Sequence, residues 1–351
     1  MDTHATTDEL VQQQLNPERL ASWLDRQGLP GQGSPLAIEV ISGGNQNIVA
    51  GLKRADLDVV LRRPPRVIPA GREAAMGREF RVLTALEGTD VPHARPVAFC
   101  TDESVLGTTF YLMERIDGWS PAASYRWPGV FGSDESARRG LAIELISGLA
   151  KVACVDWRAQ GLEGFGKPEG FHDRQVDRWL AHWAQFRFRD IPGLDQAAAW
   201  LRTHRPAEWT PGIMHGDFAF LNVMFRHGDQ PRLAAIVDWE MATIGDPFLD
   251  VAWLLGHWPA TDDDELLTEY VDYSGMPLRD EMLAVYEEQC GRPLRNFVYY
   301  QILASFKSAI ILEGGYARFL KGETDNPKLE KYNDSILMAA QTAAELVRSA
   351  D

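Results

Sequence analysis

Residues Ile213–Phe225 read IMHGDFAFLNVMF, and residues Ala234–Glu240 read AAIVDWE. Between short apolar segments, Asp217 follows His215-Gly216 in a loop, and Asn222 stands five residues further on. Asp238 ends the next apolar segment, Leu233–Val237. Phosphoryl transfer to a hydroxyl needs a carboxylate that orients the acceptor and takes its proton, with metal ligands facing the phosphates and little covalent chemistry. Asp217 is placed for the first task. Asn222 and Asp238 are hard oxygen donors that suit Mg²⁺ better than zinc. Taken singly, each has a plainer reading: Asp217 caps a turn and Asp238 ends a strand. It is their joint spacing between apolar strands that favours chemistry.

Upstream of this stretch the chain reads first as strands. Leu36–Ile41, Ile48–Leu52 and Leu57–Leu61 are short and rich in Val, Ile and Leu, with Gly, Asn and Asp between them. Lys53–Asp58 is read as the hairpin turn joining the second to the third. After Pro64, Pro65 and Pro69 the period becomes helical, with Phe80, Leu83 and Leu86 on one face of Gly71–Glu87. Val97–Cys100 and Thr108–Met113 return to strand. Beyond Ile116 the pattern is mostly helical, over Ser136–Cys154, Arg174–Arg187, Asp195–His204, Asp264–Tyr273, Arg279–Gln289, Phe297–Phe319 and Leu329–Ser349. The expected fold class is therefore α+β, a protein-kinase-like outline with a small β-rich N-lobe and a larger, mainly α-helical C-lobe. The domain reading is a helical extension at 1–34, an N-lobe at 35–115 with a nucleotide-binding sheet and one helix, and a C-lobe at 116–351.

Composition narrows the function classes. The chain has 351 residues and a formal net charge of −15. The N-lobe balances 10 Lys+Arg against 10 Asp+Glu, whereas the segment after Ile116 has 23 against 35. So acidic a chain argues against nucleic acid and anionic membrane as partners. It mildly favours a cationic acceptor. Three widely spaced cysteines, Cys100, Cys154 and Cys290, fit neither a disulfide framework nor a cysteine zinc site. With no signal-peptide pattern and no long apolar run, a cytoplasmic location is expected.

The pattern His-Gly-Asp, four residues, Asn, then Asp-Trp-Glu resembles the catalytic loop and metal segment of the aminoglycoside phosphotransferase family of kinase-like small-molecule phosphotransferases. Asp246-Pro247-Phe248-Leu249-Asp250-Val251-Ala252 extends the likeness. By that resemblance His215 and Asp250 support the loop, and the cofactors are ATP and Mg²⁺. Gly43, Gly44 and Asn45 occupy the place of a phosphate-covering loop, although Gly-Gly-Asn serves equally as a hairpin turn. Arg62 stands where kinases carry a phosphate-binding Lys, and its fork can grip phosphate; a surface Arg at a strand end is the alternative. Glu79 resembles the acid that pairs with that cation. Met113–Gly118, with Glu114 and Ile116, resembles the hinge that holds adenine.

The finer resemblance, through Leu61–Pro65, Arg78–Phe80, Phe110–Gly118 and Gly314–Arg318, is to the branch that accompanies acyl-CoA dehydrogenases. It implies a hydroxyacyl-CoA as one possible acceptor. The branch has Arg two residues after the catalytic Asp and an acid just before the Asn; this chain has Ala219 and Leu221 there. The function expected is ATP- and Mg²⁺-dependent phosphorylation of a small-molecule hydroxyl, whether on an aminoglycoside, a sugar or amino alcohol, or an acyl-CoA. The competing expectation is a catalytically degenerate kinase-like module that binds nucleotide without turnover. No oligomeric state is assigned. Trp179, Trp183 and Phe186 read as a core stripe, Asp262–Glu265 as the acidic first turn of a helix, Asp246 as a helix cap, and Cys154 and Cys290 as inert core.

Overall fold

A computed structural model describes residues 11–42, 47–65, 72–121, 126–256, 258–264, 271–324 and 326–350. They divide into two compact units. The first takes the described part of Met1–Ser120 with Gln160–Leu162 and Val223–Met241; the second takes Pro121–Ala159, Glu163–Asn222 and Ala242–Asp351.

The first unit is built on an antiparallel sheet of order β1-β2-β3-β5-β4. Its strands are β1 (Ala37–Ser42), β2 (Ile48–Arg54), β3 (Leu57–Arg63), β4 (Pro96–Cys100) and β5 (Phe110–Glu114). β2 and β3 pair from Ile48↔Arg63 to Arg54↔Leu57, leaving Ala55 and Asp56 as a two-residue turn. Ala55 has φ 42°, the positive value that such tight hairpin turns require. Helix α1 (Pro17–Arg26) begins with Asn16 accepting the Arg19 N–H at 3.1 Å and Pro17 at its first position. It buries Leu20, Trp23 and Leu24 in the sheet core, where Trp23 meets Phe110 edge-on at 4.8 Å. Arg54, buried on β2, donates to Asp25 of α1 and to the Leu29 carbonyl. Helix α2 (Arg72–Leu86) and the short α3 (Glu103–Leu106) complete the N-terminal part. The returning segment supplies a separate hairpin, β7 (Val223–Phe225) with β8 (Leu233–Ile236). It is tied down at Trp119, which exchanges backbone bonds of 2.8 Å with Phe225, and at Pro92, whose carbonyl accepts from the Ile236 N–H.

The second unit holds α4 (Val130–Ser133), α5 (Glu135–Cys154), α6 (Phe171–Trp183), α7 (Leu194–Thr203), α8 (Phe248–Leu255), α9 (Arg279–Cys290), α10 (Phe297–Leu320) and α11 (Tyr332–Ala350). A small two-stranded sheet joins them, β6 (Gly212–Met214) with β9 (Thr243–Gly245). Helix α10 runs through the core and buries side chains around most of its circumference, as a helix apolar on nearly every face must. Ile336, Ala339, Ala340 and Ala343 of α11 share its core, as do Trp179 and Trp183 of α6. Among the described residues, no helix is long and apolar enough to cross a membrane.

Two sequence expectations need correction. A helix over Asp264–Tyr273 is not what the described part shows. Asp264 closes a turn by accepting from the Ala260 and Thr261 N–H groups at 2.6 and 3.0 Å, and 271–273 is not helical, while 265–270 lies outside the described residues. Cys154 is exposed rather than core, with its Sγ 3.6 Å from Cys290 Sγ. The segment Ile213–Trp239 contributes β6 to the second unit and the β7–β8 hairpin to the first.

Candidate functional site

In the first unit the charged groups gather around Arg62. β3 delivers its side chain from a strand whose neighbours Val60 and Leu61 are buried, and that side chain is only 12% exposed. Its Nε lies 3.0 Å from Glu79 Oε2 on α2, and its Nη2 donates to Asp238 Oδ1 at 2.6 Å. Glu240 Oε2 lies 3.8 Å from the same Nη2 and accepts from Asn47 Nδ2 at 3.4 Å. Tyr111 adds a hydroxyl donor to Glu79 Oε2 at 3.3 Å. One cation thus faces three carboxyl groups. Burial is the main force on Glu79; with help from Asp238 and Glu240, and against Arg62, it pushes that carboxyl up to about 7. Arg62 moves upward despite burial, because Glu79, Tyr111 and Asp238 outweigh the loss of solvent. Asp238, just after β8, has φ 66°, a left-handed backbone that Asp tolerates better than most residues. Such an outlier at a charged, part-exposed position marks a functional candidate.

In the second unit the loop after β6 is held from below. Asp250 on α8 is 1% exposed and accepts the His215 N–H at 2.6 Å and the Gly216 N–H at 3.0 Å. Burial raises the Asp250 carboxyl, while His215, Lys307 and the two N–H groups oppose the rise. Gly216 turns the chain at φ 86°, a value that L side chains rarely adopt. The next residue, Asp217, is engaged at both oxygens: Oδ1 accepts from Trp253 Nε1 at 3.2 Å and Oδ2 from Asn222 Nδ2 at 3.1 Å. Asn222 Nδ2 also donates to the Asp217 carbonyl at 2.7 Å, which leaves its Oδ1 as the acceptor atom. Lys307, buried on α10, donates to the Gly216 carbonyl at 3.0 Å and lies 4.3 Å from the Trp253 ring centre. Its ammonium is lowered by burial, with Asp250 and Asp217 pulling the other way.

The residues singled out in the sequence fall into three sets. Arg62, Glu79 and Asp238 meet in one ion-pair cluster, and His215, Asp217, Asn222 and Asp250 meet in one hydrogen-bonded loop. Glu114 and Ile116 lie at the end of β5 and just past it, where Glu114 accepts from Arg95 Nε at 2.9 Å. Gly43, Gly44 and Asn45 lie outside the described residues. Asp246 caps α8 as expected, accepting the Phe248 N–H at 3.2 Å, and also takes bonds from Tyr300 and His172. Sequence reasoning missed Glu240, Trp253 and Lys307. Glu240 was legible as the acid two residues after Asp238. Lys307 carried no signal, since it sits in an apolar helix 91 residues after Gly216.

The model of the phosphotransferase enzyme family, APH, matches residues 37–285. Acyl-CoA dehydrogenase family member 11 of Rattus norvegicus is 29% identical over 356 residues, covering 99% of this chain and 45% of the relative. The chain spans 27–45% of the length of the curated relatives it matches. A solved Ralstonia eutropha JMP134 protein assigned to the aminoglycoside phosphotransferases is 30% identical with a TM-score of 0.81, over 95% of this chain and 98% of that one. Choline kinase from Cryptosporidium parvum Iowa II shares the fold at 11% identity and a TM-score of 0.62, over 95% and 97% of the two chains. An antiparallel sheet region followed by a helical region, as expected from the sequence, is the architecture these proteins share with the chain. It belongs to the APH phosphotransferase enzyme family and has that family's kinase-like fold.

Proposed function

We propose that the chain transfers the γ-phosphoryl group of ATP, presented with Mg²⁺, to a hydroxyl of a small molecule in the cytoplasm. The observation that carries this reading is Asp217. Its carboxylate is aimed by two donors and its loop is fixed by a buried acid, which is how a group that must accept a hydroxyl proton is held ready. The acceptor oxygen attacks the γ-phosphorus, the bond to the bridging oxygen breaks, ADP leaves, and the hydroxyl proton passes to an Asp217 oxygen.

The donor set fits a metal that arrives with its nucleotide. Among the described residues, no three His, Cys, Asp or Glu side chains gather as a ready-made cage. Mg²⁺ needs none, since it commonly takes one or two protein oxygens and fills its octahedron with phosphates and water. Asp238 and the Oδ1 oxygen of Asn222 would hold it. When bound, the ion offsets phosphate charge and draws electrons from the γ-phosphorus. Arg62, anchored by Glu79, would grip phosphate in the role of the kinase lysine. Gly43, Gly44 and Asn45 would cover the phosphates, and the backbone of Glu114 and Ile116 would hold adenine.

For the acceptor, the likeness to acyl-CoA dehydrogenase family members places hydroxyacyl-CoA thioesters beside aminoglycosides and amino alcohols in the first screen. Calorimetry of ATP with and without Mg²⁺, on wild type and Asp238→Ala, tests the nucleotide half. Metal-dependent binding that the substitution removes is the expected result. ATP binding indifferent to both, with no acceptor gaining phosphate, would leave a degenerate nucleotide-binding module instead.

A further inference from the structure

Lys307 has no part in the proton transfer proposed for Asp217, yet it is a strange residue to find where it is. It lies midway along the central helix α10, 6% exposed, between Phe306 and Ser308. A lysine buried in an apolar core is unfavourable unless its charge is used. Its hydrogen-bond partner belongs to the catalytic loop, and the aromatic ring nearest it touches that loop. The ammonium donates to the carbonyl of Gly216, the residue before Asp217. It sits over the face of Trp253 at 4.3 Å and within 5.6 Å of the Trp179 ring centre. The edge of that same Trp253 indole donates to Asp217 Oδ1. The loop itself, Gly216–Leu221, contains no basic side chain, and Ala219 occupies the position of greatest interest for one.

We infer that Lys307 is a positioning residue for Asp217, pinning the Trp253 indole from its face so that the indole N–H fixes one carboxylate oxygen, and placing under the loop the positive charge that the loop lacks. This inference rests on the proposed phosphotransfer for its kinetic consequence but not for its geometry. A cation over an indole face restrains the ring, and polarisation of the ring by that cation strengthens the N–H as a donor. The Gly216 carbonyl bond holds the peptide from which Asp217 departs. The plain alternative is that Lys307 only balances the buried Asp250. In that case its loss would weaken folding and leave Trp253 where it is.

The test uses the full chain with Lys307→Met, Lys307→Gln and Lys307→Arg. The Trp253 indole N–H peak is assigned in a ¹H–¹⁵N spectrum by its loss in Trp253→Phe. Removing the charge should move that peak toward its position in Asp217→Ala, and the arginine variant should leave it near wild type. In parallel, turnover of Mg·ATP with water as acceptor should show kcat down about tenfold, the equivalent of one lost hydrogen bond, with KM for ATP unchanged and most of the rate restored by arginine. An unmoved Trp253 peak in both neutral variants overturns the inference, as does a neutral variant with wild-type kcat. Wild-type protein without ATP turnover sinks the phosphotransfer reading alone, and the Trp253 peak then decides the role of Lys307.

Discussion

The cluster around Arg62 and the loop around Asp217 handle charge in opposite ways. In the first unit one guanidinium meets Glu79, Asp238 and Glu240, and Asn47 also donates to Glu240. Asp238 remains 38% exposed, open to solvent. In the second unit Asp250 is sealed, and both its oxygens are spent on backbone N–H groups. One arrangement is an ion-pair cluster with a part-exposed member; the other is a sealed hydrogen-bonded foundation. A group that holds a loop gives up its hydrogen-bonding capacity at folding, whereas a part-exposed group keeps contact with solvent.

That contrast can be broken most directly at Asp250. Asp250→Ala strands two buried N–H groups and removes a negative neighbour of Lys307, and should cost about 3–5 kcal/mol in a denaturant melt. A loss below about 1 kcal/mol would show that the loop does not depend on its buried acid. Next in size is a pH effect from the first unit. Glu79 is raised to about 7 in the folded protein, so between its ordinary range and pH 7 the native state keeps a proton that the unfolded chain has released. Stability therefore falls as pH rises through that window, by on the order of 3 kcal/mol. Denaturation midpoints at pH 5 and 8 measure it, Glu79→Gln should flatten the difference, and saturating Mg·ATP should shrink it. Tyr111→Phe is a finer probe: losing the hydroxyl donor should cost about 1 kcal/mol and move the Glu79 titration further upward. Smallest of all is Arg202→Ala. Its partner Asp177 is mostly in solvent, and the change should stay within about 0.5 kcal/mol.

What the sequence revealed follows the range of the interactions involved. The β2–β3 hairpin was readable because Val and Ile runs and a short polar turn are neighbours in the chain, and α10 ended within a residue of its expected limits because its apolar run is continuous. Asp217 and Asn222 were readable through the spacing that one loop imposes, and Asp250 through the resemblance of its segment to the family's. Lys307 and Trp253 were not, because what makes them notable is a contact with residues tens of positions away. The acidic turn at Asp264 misled for a related reason: acid at a helix start and acid closing a turn look alike until the accepted N–H groups are known.

The hairpin that returns to the first unit also sets an order of events on the ribosome. β1 to β5, with Arg62 and Glu79, are translated before Ser120, while β7, β8 and Asp238 follow only after Asn222. At ~5–20 residues per second, the intervening stretch takes on the order of 5–20 seconds to make. Throughout that interval the Pro92 carbonyl and the Trp119 backbone groups await the strands that will later bond them. The first unit is thus incomplete until the hairpin arrives, and Arg62 and Glu79 are both made well before Asp238.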